Sequence, residues 1–299
     1  MREKIEFWLI RTVAGALGLL PRGVARKMAA LLVWMAFPLL SRLRRVGMRN
    51  LEMALPTLTI DERTLILKGV FRSLGRQLVE FCRMSRYSAE NTKDWIRTEG
   101  LENYLSAQAQ GKGVLVLTGH MGAWELSSFY HSLMGHSMGL VIRRLDNRLL
   151  DDYVNSMRGM HGNWVLHKDD FGRGLLKAMR NGETVGILMD TNMTPPQGEF
   201  VDFFGTPACT ATGLAHIARK TGAAVVPGFM LWEASEQRYV LHFGPPLDLP
   251  QTEDPSADIL AATQICTHAI ESWIRRYPDQ WLWIHRRWKT RPAGEPGIY

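Results

Sequence analysis

The sequence predicts an α/β fold in which helices flank a mostly parallel mixed sheet. From Gly111 onwards, short runs rich in β-branched residues alternate with stretches whose apolar residues recur at three-to-four spacing. This alternation is typical of strand–helix–strand units, which pair their strands in parallel and cover both faces of the sheet. No linker rich in proline, glycine or serine divides the chain. We therefore expect one catalytic domain with an N-terminal helical appendage.

The individual elements are predicted from the period of the apolar residues. A long helix is expected at 61–86. Strands are expected at 114–117, 139–142, 185–189, 224–229 and 239–243. Further helices are expected between and after them, at 125–132, 149–160, 174–180, 213–220 and 259–277.

Residues 1–50 differ from the rest of the chain in charge and hydrophobicity. They carry ten lysines and arginines against two glutamates, whereas the remaining 249 residues carry 26 basic and 27 acidic groups. Their apolar runs, at 5–20 and 28–40, are shorter than the roughly 20 residues that span a bilayer, and Arg11 interrupts the first run. Basic residues beside apolar runs are typical of a helix bound to an anionic membrane surface.

We therefore predict that residues 1–50 form an N-terminal helical membrane anchor and that residues 51–299 form the catalytic domain. A membrane-spanning helix and an ordinary pair of core helices are the alternatives. In each case, positive flanking residues would keep the catalytic domain on the cytoplasmic side.

Cysteine usage and charge distribution argue against several classes of protein. The three cysteines, Cys82, Cys209 and Cys266, lie far apart and form no CxxC pair. We therefore expect neither a disulfide framework nor a metal site. A nucleic-acid partner is not expected either, because the excess positive charge is confined to the apolar N-terminal segment rather than spread over a folded face.

His120 and Glu125 are the candidate catalytic pair. His120 follows the apolar run 114–117, and Glu125 comes five residues later at the start of a predicted helix. An imidazole with a pKa near 6.5 suits general-base catalysis, and a nearby carboxylate can fix its tautomer. Asp190 ends another predicted strand, so both strand ends are expected to converge on one crevice. A structural histidine beside a glutamate is the alternative interpretation.

Seven segments together resemble the lysophospholipid/lipid A biosynthesis acyltransferase family, which includes lauroyl- and myristoyl-type enzymes. Residues 120–125 match the family's H-x4-D/E motif, and residues 280–292 are similar to its C-terminal signature. The other matches are the strand end at 141–147, Arg158, Asp190, the phenylalanine-rich loop at 200–205 and the helix start at 207–213. The sequence departs from the lipid A pattern at Arg148, Met189, Asn192 and Asp202.

The resemblance implies a soluble thioester donor and a lipid acceptor, without a cofactor. The donor would be acyl-ACP (acyl carrier protein) or acyl-CoA. The acceptor would be a hydroxyl of a phosphorylated glycolipid, with a lipid A precursor foremost, at the cytoplasmic face of the inner membrane. A lysophospholipid or another glycolipid is the alternative acceptor. A thioester or lipid hydrolase and a non-catalytic membrane scaffold are the alternative functions.

The resemblance also implies roles for individual residues. His120 would be the general base, and Glu125 would be its partner. Arg158 would hold an acceptor phosphate or the developing oxyanion, a task that suits the donor fork of arginine. Further candidates for substrate binding are Arg143, Arg144 and Asn147.

Three features remain open between a functional and a structural role. Asp190 would either orient a ring nitrogen or act as a structural strand-end carboxylate. Asp202 would be a second carboxylate for His120 or a solvated loop residue. The basic residues at 286–291 would form a patch near lipid headgroups or an acidic carrier protein. Nucleic-acid binding and a purely structural role are the alternatives for this segment.

Overall fold

A seven-stranded sheet lies at the centre of the protein in this computed structural model, which describes residues 1–167 and 171–299. The strand order is β1-β9-β8-β2-β5-β3-β4, and neighbouring strands are parallel except for the antiparallel pair β8–β9. A separate antiparallel hairpin is formed by β6 and β7. The strands are β1 (Ile96–Glu99), β2 (Val114–Thr118), β3 (Gly139–Ile142), β4 (Trp164–His167), β5 (Thr184–Leu188), β6 (Gly198–Phe203), β7 (Thr206–Ala211), β8 (Ala224–Glu233) and β9 (Arg238–Phe243).

Helices surround this sheet, so the predicted α/β class with a mostly parallel mixed sheet is confirmed. Short 3-10 turns at Met84–Arg86 and Pro278–Gln280 follow two of them. The helices are α1 (Arg2–Leu19), α2 (Arg22–Ala36), α3 (Ser41–Ala54), α4 (Ile60–Arg83), α5 (Ala89–Thr92), α6 (Leu101–Gln108), α7 (Trp124–Leu133), α8 (Arg148–Arg158), α9 (Phe171–Arg180), α10 (Gly213–Thr221) and α11 (Pro255–Arg276).

The central strand β2 is buried on both faces. Leu115 and Leu117 pack into one hydrophobic cluster with the C-terminal tryptophans, and Val114 and Val116 pack into a second cluster beneath α7. Successive side chains of a strand point to opposite faces, so a strand covered on both sides is apolar at every position. This is why the run at 114–117 predicted its strand well.

The N-terminal helices pack directly on the catalytic body through α4. Arg22 of α2 forms an ion pair of 2.9 Å with the fully buried Glu80 of α4, which also accepts a hydrogen bond from Tyr87. The guanidinium of Arg22 lies 3.6 Å from the ring centroid of Trp95. Residues of the predicted anchor segment therefore complete a buried polar network of the predicted catalytic domain.

The outer faces of α1 and α2 expose an unusual number of large apolar side chains. In the described part of the chain, no single helix has the length and hydrophobicity to cross a membrane. The pair α2 and α3, bent by 90°, meets those two criteria together. The exposed apolar residues include Ile5, Trp8, Leu9, Val13, Leu31, Leu32, Trp34 and Leu39.

Candidate active site

His120 and Asp190 lie side by side at the carboxyl end of the sheet. Each residue follows the last residue of its strand by two positions, and those last residues, Thr118 of β2 and Leu188 of β5, are direct partners in the parallel register. The pairing of the backbones thus brings the two side chains level. His120 Nδ1 lies 2.8 Å from Asp190 Oδ1, so the expected convergence of these two strand ends is found.

Asp190 accepts three hydrogen bonds that fix the imidazole. Its Oδ1 accepts from the ring Nδ1–H, and its Oδ2 accepts from the backbone N–H of His120 at 2.7 Å and from Nε1–H of Trp281 at 2.8 Å. Because Nδ1 carries the proton in this arrangement, Nε2 holds the lone pair. No group in residues 1–167 or 171–299 hydrogen-bonds to that Nε2, and the ring is about one quarter exposed.

The electrostatic surroundings raise the pKa of His120 above its value in water and so favour the imidazolium form. Burial lowers the pKa of His120, but the Asp190 carboxylate outweighs it, with a smaller contribution from Glu125, so the pKa is raised overall. Burial in turn raises the pKa of Asp190, but the nearby imidazole and the three donated hydrogen bonds hold that pKa well below its usual range. Asp190 is therefore an anion throughout the physiological range.

Glu125 does not contact the imidazole, and the expectation that it holds the ring is wrong. Glu125 lies in the first turn of α7 and accepts two hydrogen bonds from Arg158 of α8, at 2.9 Å from Nε and 2.5 Å from Nη2. Arg158 donates a third to Asn155. These three hydrogen bonds leave two of the five guanidinium N–H groups of Arg158 without an acceptor in the described residues.

The other polar candidates near β3 do not form a converging site. Asn147 caps α8 through hydrogen bonds to Leu149 and Leu150, and its amide donates to the backbone of Glu3. Arg143 is 84% exposed and has only a long 3.8 Å contact with Asp146. Arg144 is also exposed.

Asp202 lies away from the imidazole, on the β6–β7 hairpin. Its carboxylate accepts from the backbone N–H of Gly205 at 3.1 Å and lies 3.9 Å from His268 of α11. The hypothesis of a second carboxylate for His120 is therefore wrong. The alternative, a solvated loop residue, is right about the exposure of Asp202 but not about the loop, because Asp202 lies in β6.

The C-terminal segment completes the site, and three of its residues were not predicted. Trp281 binds Asp190, as described above, and Leu282 donates its backbone N–H to the carbonyl of His120 at 3.0 Å. His285 Nε2 accepts the backbone N–H of Asn192 at 3.1 Å. Burial lowers the pKa of His285, which keeps it in the neutral form that this bond requires.

Arg287 contradicts the predicted surface patch at 286–291. It is only 1% exposed, and it donates to the backbone carbonyl of Cys209 at 2.8 Å and to the hydroxyl of Thr210. Burial lowers its pKa to about 10, so it remains charged at neutral pH. Arg287 thus ties the β6–β7 hairpin to the C-terminal segment rather than presenting charge to a partner.

A small, mostly apolar cavity of about 60 Å³ lies between the sheet and α7. Its polar wall includes Thr118, Glu125 and Arg158. His120 does not line the cavity, but its ring centroid lies 5.2 Å from that of Trp124, which does. Burial lowers the pKa of His131, which also lines the cavity, to about 3, so that ring is neutral. The apolar wall includes Val116, Trp124, Met138, Leu140, Leu188 and Phe243, with Gly186 leaving space where a side chain would stand.

Comparison with known proteins assigns the chain to a family. The sequence model described as "Bacterial lipid A biosynthesis acyltransferase" matches residues 1–290. The chain belongs to this family. The acyltransferase is 31% identical to the lipid A biosynthesis palmitoleoyltransferase of Escherichia coli K12, over 98% of this chain and 95% of that protein.

Other relatives carry different acyl specificities in their names. The acyltransferase is 30% identical to the lipid A biosynthesis lauroyltransferase of the same organism, again over 98% of this chain and 95% of the relative. It is 23% identical to the myristoyltransferase of that organism, over 84% of this chain and 77% of the relative. The family resemblance read from the motifs is thereby confirmed, and an enzyme of this family uses an acyl donor and a lipid acceptor.

Proposed function

We propose that this acyltransferase moves a fatty acyl chain from an acyl-ACP or acyl-CoA thioester to a hydroxyl of a lipid A precursor, with His120 as the general base. The hydrogen bond between His120 Nδ1 and Asp190 carries this proposal, because it leaves the lone pair on Nε2, which has no partner in the described residues. The names of the relatives support the acceptor class.

The reaction needs one proton acceptor and no covalent enzyme intermediate. As the acceptor oxygen attacks the thioester carbonyl, Nε2 of His120 takes the hydroxyl proton. Collapse of the tetrahedral intermediate forms the ester, breaks the carbon–sulfur bond and returns the proton to the leaving thiolate. Asp190 acts as a positioning residue that holds the tautomer and stabilises the imidazolium.

The Glu125–Arg158 ion pair supplies a second, electrostatic function. Arg158 lines the cavity, and two of its N–H groups have no acceptor in the described residues. Those donors would stabilise the oxyanion of the tetrahedral intermediate, a contribution typically worth about 10²–10³ in kcat. Glu125 holds the guanidinium in place from both sides of its carboxylate and also favours the imidazolium.

The apolar cavity would receive the acyl chain of the donor. Its volume of about 60 Å³ is smaller than the roughly 300–1,000 Å³ of pockets that hold small ligands, so an entering chain has to move side chains aside. Met138, which is unbranched and has three rotatable bonds, is suited to that movement. Arg143 and Arg144, exposed just beyond β3, are proposed to meet the phosphate of the acceptor.

The apolar faces of α1 and α2 would place the enzyme on the inner membrane, with the catalytic body at the cytoplasmic face. We expect polar substitution of Trp34 and Leu39, which are 73% and 81% exposed, to weaken vesicle binding at least about tenfold. Burial of such side chains contributes about 1.5–3 kcal/mol each. Leu260→Gln on α11 is the control, and equal binding by both variants would remove this face as the membrane contact.

The deciding experiment is a transfer assay with purified protein. Acyl-ACP and acyl-CoA donors are offered with a lipid A precursor and with its dephosphorylated counterpart, and the products are identified by mass spectrometry. We expect His120→Ala to lose at least about 10² in kcat and the exposed His268→Ala to retain full activity. Near-normal turnover by His120→Ala would refute the mechanism. Hydrolysed donor without acylated lipid would indicate a hydrolase instead.

A further inference from the structure

A wide groove lies between α3 and α4, apart from the catalytic cavity. It has a volume of about 640 Å³ and shares no lining residue with the cavity beside His120. Its floor is apolar, formed by Met48 and the buried Leu67. Such a volume accommodates a ligand of the size of a lipid headgroup.

The walls of the groove carry guanidinium groups that lack acidic partners. Arg44, Arg45 and Arg63 line it, and none of them forms an ion pair within the described residues. The guanidinium of Arg44 lies 5.2 Å from the ring centroid of Phe37, and Arg63 donates to the backbone carbonyl of Pro56. The acidic residue in the lining, Glu52, is already paired with Arg49. The groove therefore has a positive charge that no acidic group in residues 1–167 or 171–299 neutralises through an ion pair.

The beginning of α3 adds to this positive potential. Ser41, its first residue, lines the groove, and no side chain caps this 14-residue helix, whose first turn contains no acidic residue. The free backbone N–H groups and the helix dipole favour an anion there. Together with the unpaired arginines, they describe a site for a phosphate.

The rims of the groove are apolar and join the exposed face of α2. Phe37 lies in the wall, and Leu39, two positions later in the chain, is 81% exposed. On the opposite rim Ile60 is 71% exposed. A ligand that fits both features has a phosphate and hydrocarbon chains side by side. An acidic protein helix would match the arginines but would leave the apolar rims facing water.

We propose that the α3–α4 groove binds the phosphodiester headgroup of an anionic membrane phospholipid, whose acyl chains remain in the bilayer against the rims. Arginine suits this task because its planar fork donates two parallel hydrogen bonds to a phosphate. The site is independent of the proposed acyl transfer, since the lipid bound here is not the acceptor. It would fix the height and tilt of the enzyme at the membrane, which a diffuse attraction of charges does not.

The test uses the full-length protein in a neutral detergent and a short-chain phosphatidylglycerol below its micellar concentration. Binding is measured by calorimetry for the wild type and for the triple variant Arg44→Gln, Arg45→Gln, Arg63→Gln. The control removes the same charge from exposed positions of α9, through Arg173→Gln, Lys177→Gln and Arg180→Gln. A third variant carries Arg44→Lys, Arg45→Lys and Arg63→Lys. It keeps the positive charge but removes the planar guanidinium groups.

We expect saturable binding by the wild type and the α9 control, with an affinity at least about tenfold lower in the glutamine variant. The lysine variant should also lose affinity, and its thermal midpoint reports whether the fold is intact. Equal binding by the wild type and the glutamine variant, or equal losses in the α9 control, would overturn the proposal. Inorganic phosphate binding as tightly as the lipid, or an acidic carrier protein displacing the lipid, would overturn it as well.

Discussion

Replacing Asp190 with asparagine should disable the proposed base by changing its tautomer. An asparagine side chain has one acceptor oxygen, whereas Asp190 serves three donors: the ring Nδ1–H and backbone N–H of His120, and Nε1–H of Trp281. If the oxygen faces the ring, the amide NH₂ meets the other two N–H groups and both bonds are lost. If the oxygen faces those two, only one bond has to be remade, with the amide donating to Nδ1.

The second orientation is favoured by one hydrogen bond, about 1 kcal/mol, which is roughly a fivefold excess in population. In it Nδ1 becomes an acceptor and the ring proton moves to Nε2, so the reactive nitrogen has no lone pair. The tautomer shift alone should lower kcat about fivefold. Loss of the carboxylate charge that stabilises the imidazolium adds to this, so we expect a total fall of about 10²–10⁴, the range typical of a lost or misoriented base.

The pH profile supplies a second readout for the same variant. The Asp190 carboxylate raises the pKa of His120 against the effect of burial, and the base has to be neutral to act. Wild-type activity should thus rise with pH through this raised pKa, and the rise should move to lower pH when the carboxylate is removed. The assay measures kcat/KM across the pH range, with the exposed Asp202→Asn as control. A kcat within about threefold of wild type, or an unmoved profile, would refute the reasoning.

Three further perturbations test other parts of the molecule. Glu125→Gln should lower kcat about 10- to 100-fold in steady-state assays, because Arg158 loses charged hydrogen bonds of about 1.5–3 kcal/mol. The control Glu90→Gln, at an exposed position, should not change kcat. A rise in the KM for donor alone would make Glu125 a binding residue. Gly186→Val should reduce kcat/KM for long acyl donors at least about tenfold while sparing shorter ones. The reason is that even a Cβ at this position would lie 3.4 Å from Met138, so the valine methyl groups would fill the cavity. Equal losses for all chain lengths would exclude the cavity as the acyl site. Arg22→Met should lower the free energy of unfolding by about 3 kcal/mol, because it leaves Glu80 buried and unpaired, whereas Arg2→Met, at an exposed pair, should have almost no effect in denaturant titrations.

The Arg22–Glu80 pair also changes what a deletion would report. Removing residues 1–45 would take Arg22 away from a fully buried carboxylate, so the truncated protein would lose stability as well as its apolar faces. Release of such a protein from membranes would not separate the two causes. Surface substitutions at Trp34 on α2 and at Leu39 just after it separate the two causes, because both side chains are mostly exposed.

Local pattern predicted five of the nine described strands, including the two that are central to the site. The runs at 114–117 and 185–189 became β2 and β5, and their ends carry His120 and Asp190. The strands that pattern missed are short, partly exposed or far from regular alternation. β1 has polar residues at three of its four positions, and β4 lies at the edge of the sheet. Their pairing depends on tertiary contacts more than on intrinsic preference.

The carboxylate partner of His120, the proposed base, could not be predicted from sequence spacing. Glu125 lies five positions after His120, but α7 begins at Trp124, and the Glu125 carboxylate binds Arg158 of α8. Arg158 is 33 residues further along the chain. The actual partner, Asp190, is 70 residues from His120. The prediction for Arg287 was wrong for a related reason. The four basic residues at 286–291 have the composition of a surface patch. In the fold, however, Arg287 lies among the buried Trp281, Trp283 and Trp288, in an interior segment.

The hydrogen bond from Trp281 to Asp190 has a consequence for the order in which the enzyme becomes competent during synthesis. The two residues are 91 positions apart, so at about 5–20 residues per second the ribosome needs roughly 5–18 s to supply the second after the first. Throughout that interval the segment that hydrogen-bonds to Asp190 and to the backbone of His120 is missing, while α1 and α2 have already been made. A nascent chain thus presents its apolar helices well before the hydrogen bonds around His120 are complete.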